Sequence, residues 1–447
     1  MFSRMMRYWQ ELSSVTDDNG LHVVVARRPK SPIVELRFII EGGFAGEPEL
    51  RSGLAGLAMA MLSEGALRVE GKPLVNVLES LGATIHGQIT ADASIIGMSA
   101  LAVSYRDALA VFGQIISKPQ FLSDDFERVR ANRLALITRE RLDPPALAMR
   151  VLPPMLYGSE HPYARPFSGS GTARALGSLT PDDLRDYYAG HLAAPCTLVA
   201  AGDCDTTEPI QTLKTVFGTT RTDISPPVKP AAAPACSEIM IIDRPGSSQA
   251  WLVAGLATVA RNSPMAEALI VADAVLGGMF ASRLNLNLRE ARGWTYGVRS
   301  SLIDARLQGL WLIRTAVSKA NAGSAMAEMA REIENLAGTQ PCRQDEFDCA
   351  VDYLAARMPS RFESCAQIAD ALTEAAIHHL PAEYHARLPT SLRRLNPGDV
   401  TEICRQIIAQ GCAPRWIVVA DAHDVPGLLS DNTFGKLQLV HSDDALP

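Results

Sequence analysis

Two homologous α+β domains, each a mostly antiparallel sheet packed with helices, are the fold that this sequence predicts. Three observations carry that expectation. The chain has 447 residues, too many for one ordinary core. Near its middle, Arg221 to Ser237 (RTDISPPVKPAAAPACS) combines prolines with a run of alanines and breaks both helical and strand periodicity. On either side of that stretch the chain closes in the same way, with LGSLTPDDLRDYYAGHLAAPCTLVAAGDCD from Leu176 and LRRLNPGDVTEICRQIIAQGCAPRWIVVADAHD from Leu392. Each reads as a Thr or Asn N-cap, Pro at the first helical position, a helix, a turn and an apolar strand running into Asp-containing turns. The domains are therefore set at 1–220 and 238–447, with 221–237 as the linker.

The elements follow in order. Each half opens on two strand-like stretches, Leu21 to Ala26 with Val34 to Glu41, and Glu238 to Asp243 with Gln249 to Leu256. A long apolar helix comes next, then a hairpin region, then amphipathic helices such as Phe126 to Leu142 and Asp345 to Met358. Strands grouped ahead of helices, rather than alternating with them, favour α+β over a parallel α/β sheet. A composition of 47% hydrophobic, 20% charged and 6% aromatic residues is that of a chain folded nearly throughout.

Several function classes are excluded. Net charge is −7 and no Lys/Arg run stands out, so nucleic acid is not an expected partner. Arg4 and Arg7 interrupt the apolar residues of MFSRMMRYWQELSSV, which lacks the apolar core of a secretory signal. The apolar run Leu54 to Leu62 is nine residues, about half of a membrane span. The cytoplasm is the expected compartment, with the periplasm the alternative if an export peptide precedes Met1. Eight cysteines without a C-x-x-C pair read as buried or idle thiols in a reducing compartment.

Two segments carry the chemistry. Gly53 to Leu62 reads GLAGLAMAML, and from Glu267 the chain reads EALIVADAVLGGMFASRLNLNLREARGWTYGVRSSL. Together they resemble the pitrilysin/insulinase-like (inverzincin) metallopeptidases, whose first domain has Gly-Leu-Ala followed by H-x-x-E-H and whose second has a helix, a Gly-Gly loop, Ser-Arg-Leu, a helix ending Leu-Arg-Glu, then Gly and a Tyr-bearing strand. The resemblance spans nearly the whole chain and implies the processing-peptidase-like fold, one half of a clamshell. Weaker echoes are His161-Pro162-Tyr163 and the hairpin Leu81 to Ser94.

The departure from the family is specific. Histidines at i and i+4 share one helical face and grip Zn²⁺, while the Glu beside the second His handles the proton of the metal-bound water. Here Gly56, Met59 and Ala60 stand at ligand, base and ligand. The family's remaining carboxylate ligand would fall near Ala135 to Ile137, which is apolar, and nearby Glu140 reads as a solvated helix residue. None of the nine histidines forms H-E-x-x-H or H-x-x-E-H.

In the second half the resemblance implies that Arg289 and Tyr296 are the catalytic pair, reaching a zinc site to hold substrate carbonyls and the oxyanion, with Gly277 and Gly278 as a loop that substrate backbone approaches. By residue type alone, Arg289 caps a helix dipole and Tyr296 fills a strand; the surrounding signature assigns them the other task. Gly293 suits the residue past the helix end and turns the chain toward Tyr296. The chain itself then carries no cofactor. Zinc is expected in a partner subunit that has H-x-x-E-H and lacks the Arg/Tyr pair, and a peptide or unfolded polypeptide is the expected substrate. A core-type structural assembly subunit, with no part in proteolysis, is the alternative. A Cys196 nucleophile with His191 has no spacing or turn signature behind it.

Overall fold

Apolar, β-branched runs such as HVVVAR and IVELRFIIE form strands buried on both faces, because branched side chains fit a pleated surface covered on each side. The computed structural model describes residues 11–18, 20–64, 68–69, 72–192, 194–214, 238–409, 413–424 and 436–441. The linker read at 221–237 lies outside the described residues. The first sheet comprises β1 (Leu12–Thr16), β2 (His22–Arg27), β3 (Ile33–Glu41), β4 (Thr84–Ile89), β5 (Ala93–Leu101) and β6 (Cys196–Gly202), in the order β1-β2-β6-β3-β5-β4. The second comprises β7 (Glu238–Asp243), β8 (Gln249–Ala257), β9 (Val298–Ile303), β10 (Leu310–Ser318), β11 (Arg415–Ala420) and β12 (Lys436–His441), in the order β12-β7-β11-β8-β10-β9.

The duplication read from the sequence is present in the pairing. The series β2-β6-β3-β5-β4 and β7-β11-β8-β10-β9 have the same order and the same senses: the first pair is parallel and the rest antiparallel. Only the outermost strand differs, since β1 pairs antiparallel with β2 whereas β12 pairs parallel with β7. Both closing units are capped as expected. Thr180 and Asp183 form a reciprocal capping box ahead of Pro181–His191, and Asn396 Oδ1 accepts from the amides of Gly398 and Asp399 ahead of Pro397–Ala409.

The packing units do not follow the single cut. The described residues of the first unit fall within Met1–Ile137, Phe167–Val228 and Met358–Ala386, and those of the second within Thr138–Pro166, Lys229–Arg357 and Arg387–Pro447. Each unit thus takes in a helix from the opposite half of the chain. In the first unit, Cys365–Ile377 packs on β3 and β6, and the Arg37 guanidinium, itself paired with Glu35 at 2.8 Å, reaches Asp370 at 3.2 Å. In the second, Pro144–Tyr157 packs on β8 and β11, and Arg415 Nε donates to the Met155 carbonyl at 3.2 Å. The two strand series fall within 12–202 and 238–441, whereas the bodies that pack are interleaved.

Glu140, expected to be solvated, is 9% exposed and forms an ion pair with Arg150, whose guanidinium is also buried. An Asp143 N-cap turns the chain into Pro144–Tyr157 and so brings Arg150 back over Glu140. Removing one partner leaves an uncompensated charge in the interior. Glu140→Ala should therefore lose about 3–5 kcal/mol in urea unfolding, while Glu140→Leu combined with Arg150→Met should recover most of that loss.

Candidate functional site

In the first unit the face that would carry metal ligands is packed. The helix α1 (Leu54–Glu64) starts where the buried Glu47 carboxylate accepts from the amides of Gly53 at 2.9 Å and Ala55 at 2.7 Å, a favourable placement of negative charge at a helix N-terminus. Met59 is 1% and Ala60 3% exposed. A Cβ on Gly56 would overlap the carbonyl oxygen of Gly169, and one on Gly87 of β4 would overlap that of Met59, so backbone lies against this turn from two sides. From α2 (Ser123–Leu142), Arg133 donates to the Gly56 carbonyl at 2.8 Å. Ile137 is buried among apolar side chains. This surface offers no nitrogen or carboxylate ligand and presents a fixed cation instead; zinc does not fit it. Among the described residues, no group of three or more His, Cys, Asp or Glu is placed to hold a metal ion.

The second unit is built differently. Its apolar helix α3 (Ala266–Asp273) runs into a π-turn, Ala274–Gly278, and a second π-turn, Asn285–Ala291, carries Arg289. Single π-turns recur at functional sites because the extra residue shifts the direction of side chains beyond it. Gly277 is required by close approach: a Cβ there would lie 2.6 Å from Cβ of Ser300 on β9. Under the turn, the Asp273 carboxylate accepts from Ser300 Oγ and, at 2.8 Å, from Trp311 Nε1. Sequence reading missed this trio; an acidic residue within an apolar helix run was its only signal.

Burial pushes the Asp273 carboxyl up to about 6, against the opposing effect of its bonds from Ser300 and Trp311; Arg299 and Asp304 are the charged groups that also act on it. A carboxyl with a raised folded pKa favours the folded state while protonated, and that contribution is lost as pH rises from about 4 through 6. Asp273→Asn keeps an acceptor for Ser300 and Trp311 but cannot ionise. It should be more stable than the parent at pH 8 by on the order of 1–2 kcal/mol and so melt higher, with the advantage shrinking toward pH 4. Melting curves across that range check it.

Arg289 lies in the last turn of its segment, which is π rather than α-helical. Its Nε donates to Glu290 Oε1 at 2.8 Å, one terminal nitrogen donates to the Phe280 carbonyl at 3.3 Å, and its Cζ lies 3.7 Å from the Phe280 ring centroid. Gly293 has φ +65°, and the Trp294 amide donates back to the Leu288 carbonyl at 2.9 Å, closing the segment as its position suggests. Tyr296, expected on a strand, instead sits in a bend ahead of β9 and is 97% exposed. Thr295 holds that bend, exchanging bonds with Gly297 and meeting Thr315 Oγ1 at 2.9 Å. The fold thus presents Arg289 and Tyr296 on one short segment, with the guanidinium bonded to Glu290 and Phe280.

The remaining candidates are structural. Cys196 is 2% exposed with its thiol pushed up to about 12 by burial, and its Sγ donates to the Ala194 carbonyl. His191 is pushed down to about 4 by burial, meets Ser94 Oγ at 3.0 Å and stacks on Tyr187. A thiol suppressed by burial, whose bond goes to the Ala194 carbonyl while His191 bonds Ser94, is not set up as a nucleophile. His161 is buried, stacks on Tyr157 and accepts from the Tyr163 amide at 3.0 Å. The hairpin of β4 and β5 is present, with β4 at the sheet edge.

Comparison with known proteins agrees with this layout. The insulinase (peptidase family M16) model matches residues 22–150, and the peptidase M16 inactive domain model matches residues 178–354. The chain is 29% identical over 152 residues to an uncharacterized zinc protease of Streptomyces coelicolor, an alignment covering 32% of this chain and 33% of that protein. It is 22% identical over 287 residues to an uncharacterized zinc protease of Mycobacterium leprae, covering 63% of this chain and 64% of that one. The chain therefore spans less than two thirds of the length of either curated relative. Among solved structures, a peptidase M16 inactive domain from Pseudomonas fluorescens superposes with TM-score 0.81 at 24% identity, covering 92% of this chain and 97% of that one. A protease from Helicobacter pylori follows with TM-score 0.79 at 16% identity, covering 91% and 99%. These structural likenesses establish the two-domain α+β fold. With family models matching in both halves and Gly56, Met59 and Ala60 at the ligand positions, the chain belongs to the insulinase-like peptidase family M16 as a member lacking the zinc site.

Proposed function

We propose that this chain is the non-zinc subunit of a heteromeric zinc metallopeptidase, supplying Arg289 and Tyr296 to grip a peptide substrate in the active site of a partner that bears H-x-x-E-H. The observation that supports this reading most is the asymmetry between the two units. One has its metal face filled by backbone and Arg133, while the other places a partly buried Arg and an exposed Tyr on a segment braced by π-turns. Arg offers a planar fork of donors to peptide carbonyls, and a Tyr hydroxyl donates to the oxygen that gains charge as the carbonyl becomes tetrahedral. Gly277 and Gly278, read as a loop for substrate backbone, instead let the turn close on Ser300 and Asp273 of this chain, so the grip rests on Arg289 and Tyr296. Zinc, its water and the general base belong to the partner, so the chain alone is inert.

The test is to purify this chain and an H-x-x-E-H homologue from the same genome separately, then follow cleavage of fluorescein-labelled β-casein. Cleavage by the mixture and by neither part is the expected result. A partner that is equally active alone would leave the structural assembly reading in first place. Among the described residues no helix is long and apolar enough to cross a membrane.

A further inference from the structure

We infer that Phe280 is a positioning residue that orients Arg289 for the peptide, an assignment that rests on the function proposed above. Phe280 is 76% exposed, yet its backbone is not slack. Its neighbour Met279 is buried; the Met279 amide donates to the Ala274 carbonyl at 3.2 Å, while the Met279 carbonyl accepts from the Ser282 amide at 3.3 Å and from Asn285 Nδ2 at 3.2 Å. A large apolar side chain is thereby held out on a clamped turn. What it meets there is the Arg289 guanidinium, at 3.7 Å, lying over its ring.

Phe280 acts on that guanidinium twice. The ring face attracts the cation, and the backbone carbonyl of the same residue accepts from one terminal nitrogen at 3.3 Å. With Nε committed to Glu290, two of the five guanidinium protons are used and the plane is fixed by the ring beneath it. The other three donors lie in a set plane before any peptide arrives. A free Arg side chain samples many rotamers, and that freedom is lost when it binds unless its plane is already set. Tyr296 needs no such prop, because the Thr295 bonds already hold its backbone.

The experiment uses the complex with the H-x-x-E-H partner and labelled β-casein. Phe280→Ala should raise KM about 5-fold with kcat changed by less than about 2-fold, and Phe280→Trp should restore the parent KM. In an Arg289→Ala background, Phe280→Ala should add nothing, because its effect runs through the guanidinium. If Arg289→Ala weakens turnover but Phe280→Ala is silent, or adds its full effect to Arg289→Ala, the positioning role is wrong while the proposed function stands. If Arg289→Ala is itself silent, both fall. The exposure of Phe280 keeps folding out of the result, and equal melting temperatures verify that.

Discussion

Arg289→Ala should lower kcat/KM of the reconstituted complex about 100-fold, and Tyr296→Phe should lower kcat by about 10- to 100-fold, with the heteromer intact on a sizing column. The two differ because their hydrogen bonds form at different stages. A guanidinium holding peptide carbonyls acts on ground state and transition state alike, so its loss raises KM as well. The Tyr hydroxyl is drawn on chiefly as charge develops on the carbonyl oxygen, so its loss appears mainly in kcat. Tyr296 is 97% exposed, and removing one oxygen there disturbs no packing. Arg289, whose side chain is 17% exposed, gives up an ion pair to Glu290, a bond to the Phe280 carbonyl and its contact with the Phe280 ring, so the melting temperature of Arg289→Ala is measured beside the parent's. With melting temperatures equal, lost turnover in either variant reports on substrate, not on folding. Full activity of the double variant would demote this chain to a scaffold and make the core-type assembly reading the leading one.

Much of the fold was legible because its punctuation is local. The N-caps at Thr180 and Asn396, each followed by proline, mark helix starts that the structure reproduces, and Gly293 marks the end of the Arg289 segment. The opening strands were placed to within a residue at each end because apolar, β-branched runs bounded by turn residues admit few other readings. What sequence pattern does not carry is the destination of a buried face. The periodicity of Pro144–Tyr157 and of Cys365–Ile377 shows that each helix is covered, but not that it is covered by the sheet built from the other half of the chain. Glu140 was misread for the same reason: its partner Arg150 meets it only after the chain turns at Asp143. The π-turns were invisible because one extra residue in a helix leaves no signature at a 3.6-residue period. The trio of Asp273, Ser300 and Trp311 joins three elements that only tertiary packing brings together.

Replacing Gly56 by His, Met59 by Glu and Ala60 by His should not create a zinc site; it should instead destabilise the first unit by more than about 4 kcal/mol. Any side chain at 56 meets the Gly169 carbonyl, and since that obstacle is backbone rather than a flexible side-chain end, even Gly56→Ala forces the chain to move. Enlarging Ala60, 3% exposed, overpacks a filled core, which typically costs about 1–3 kcal/mol. A carboxylate at 59, where the side chain is 1% exposed, adds the larger cost of burying a charge without a partner. The metal would offset little of this. Near Ala135 to Ile137 no carboxylate completes the set, nothing orients the new imidazoles, and the Arg133 guanidinium already stands on the Gly56 carbonyl, where it would repel a dication. Metal analysis of the purified parent should find zinc far below one per chain, and the triple variant should match it while melting at a markedly lower temperature. One zinc per chain in the variant, with parental melting, would show that this face is a vacated site that still fits its metal rather than a packing surface built without one.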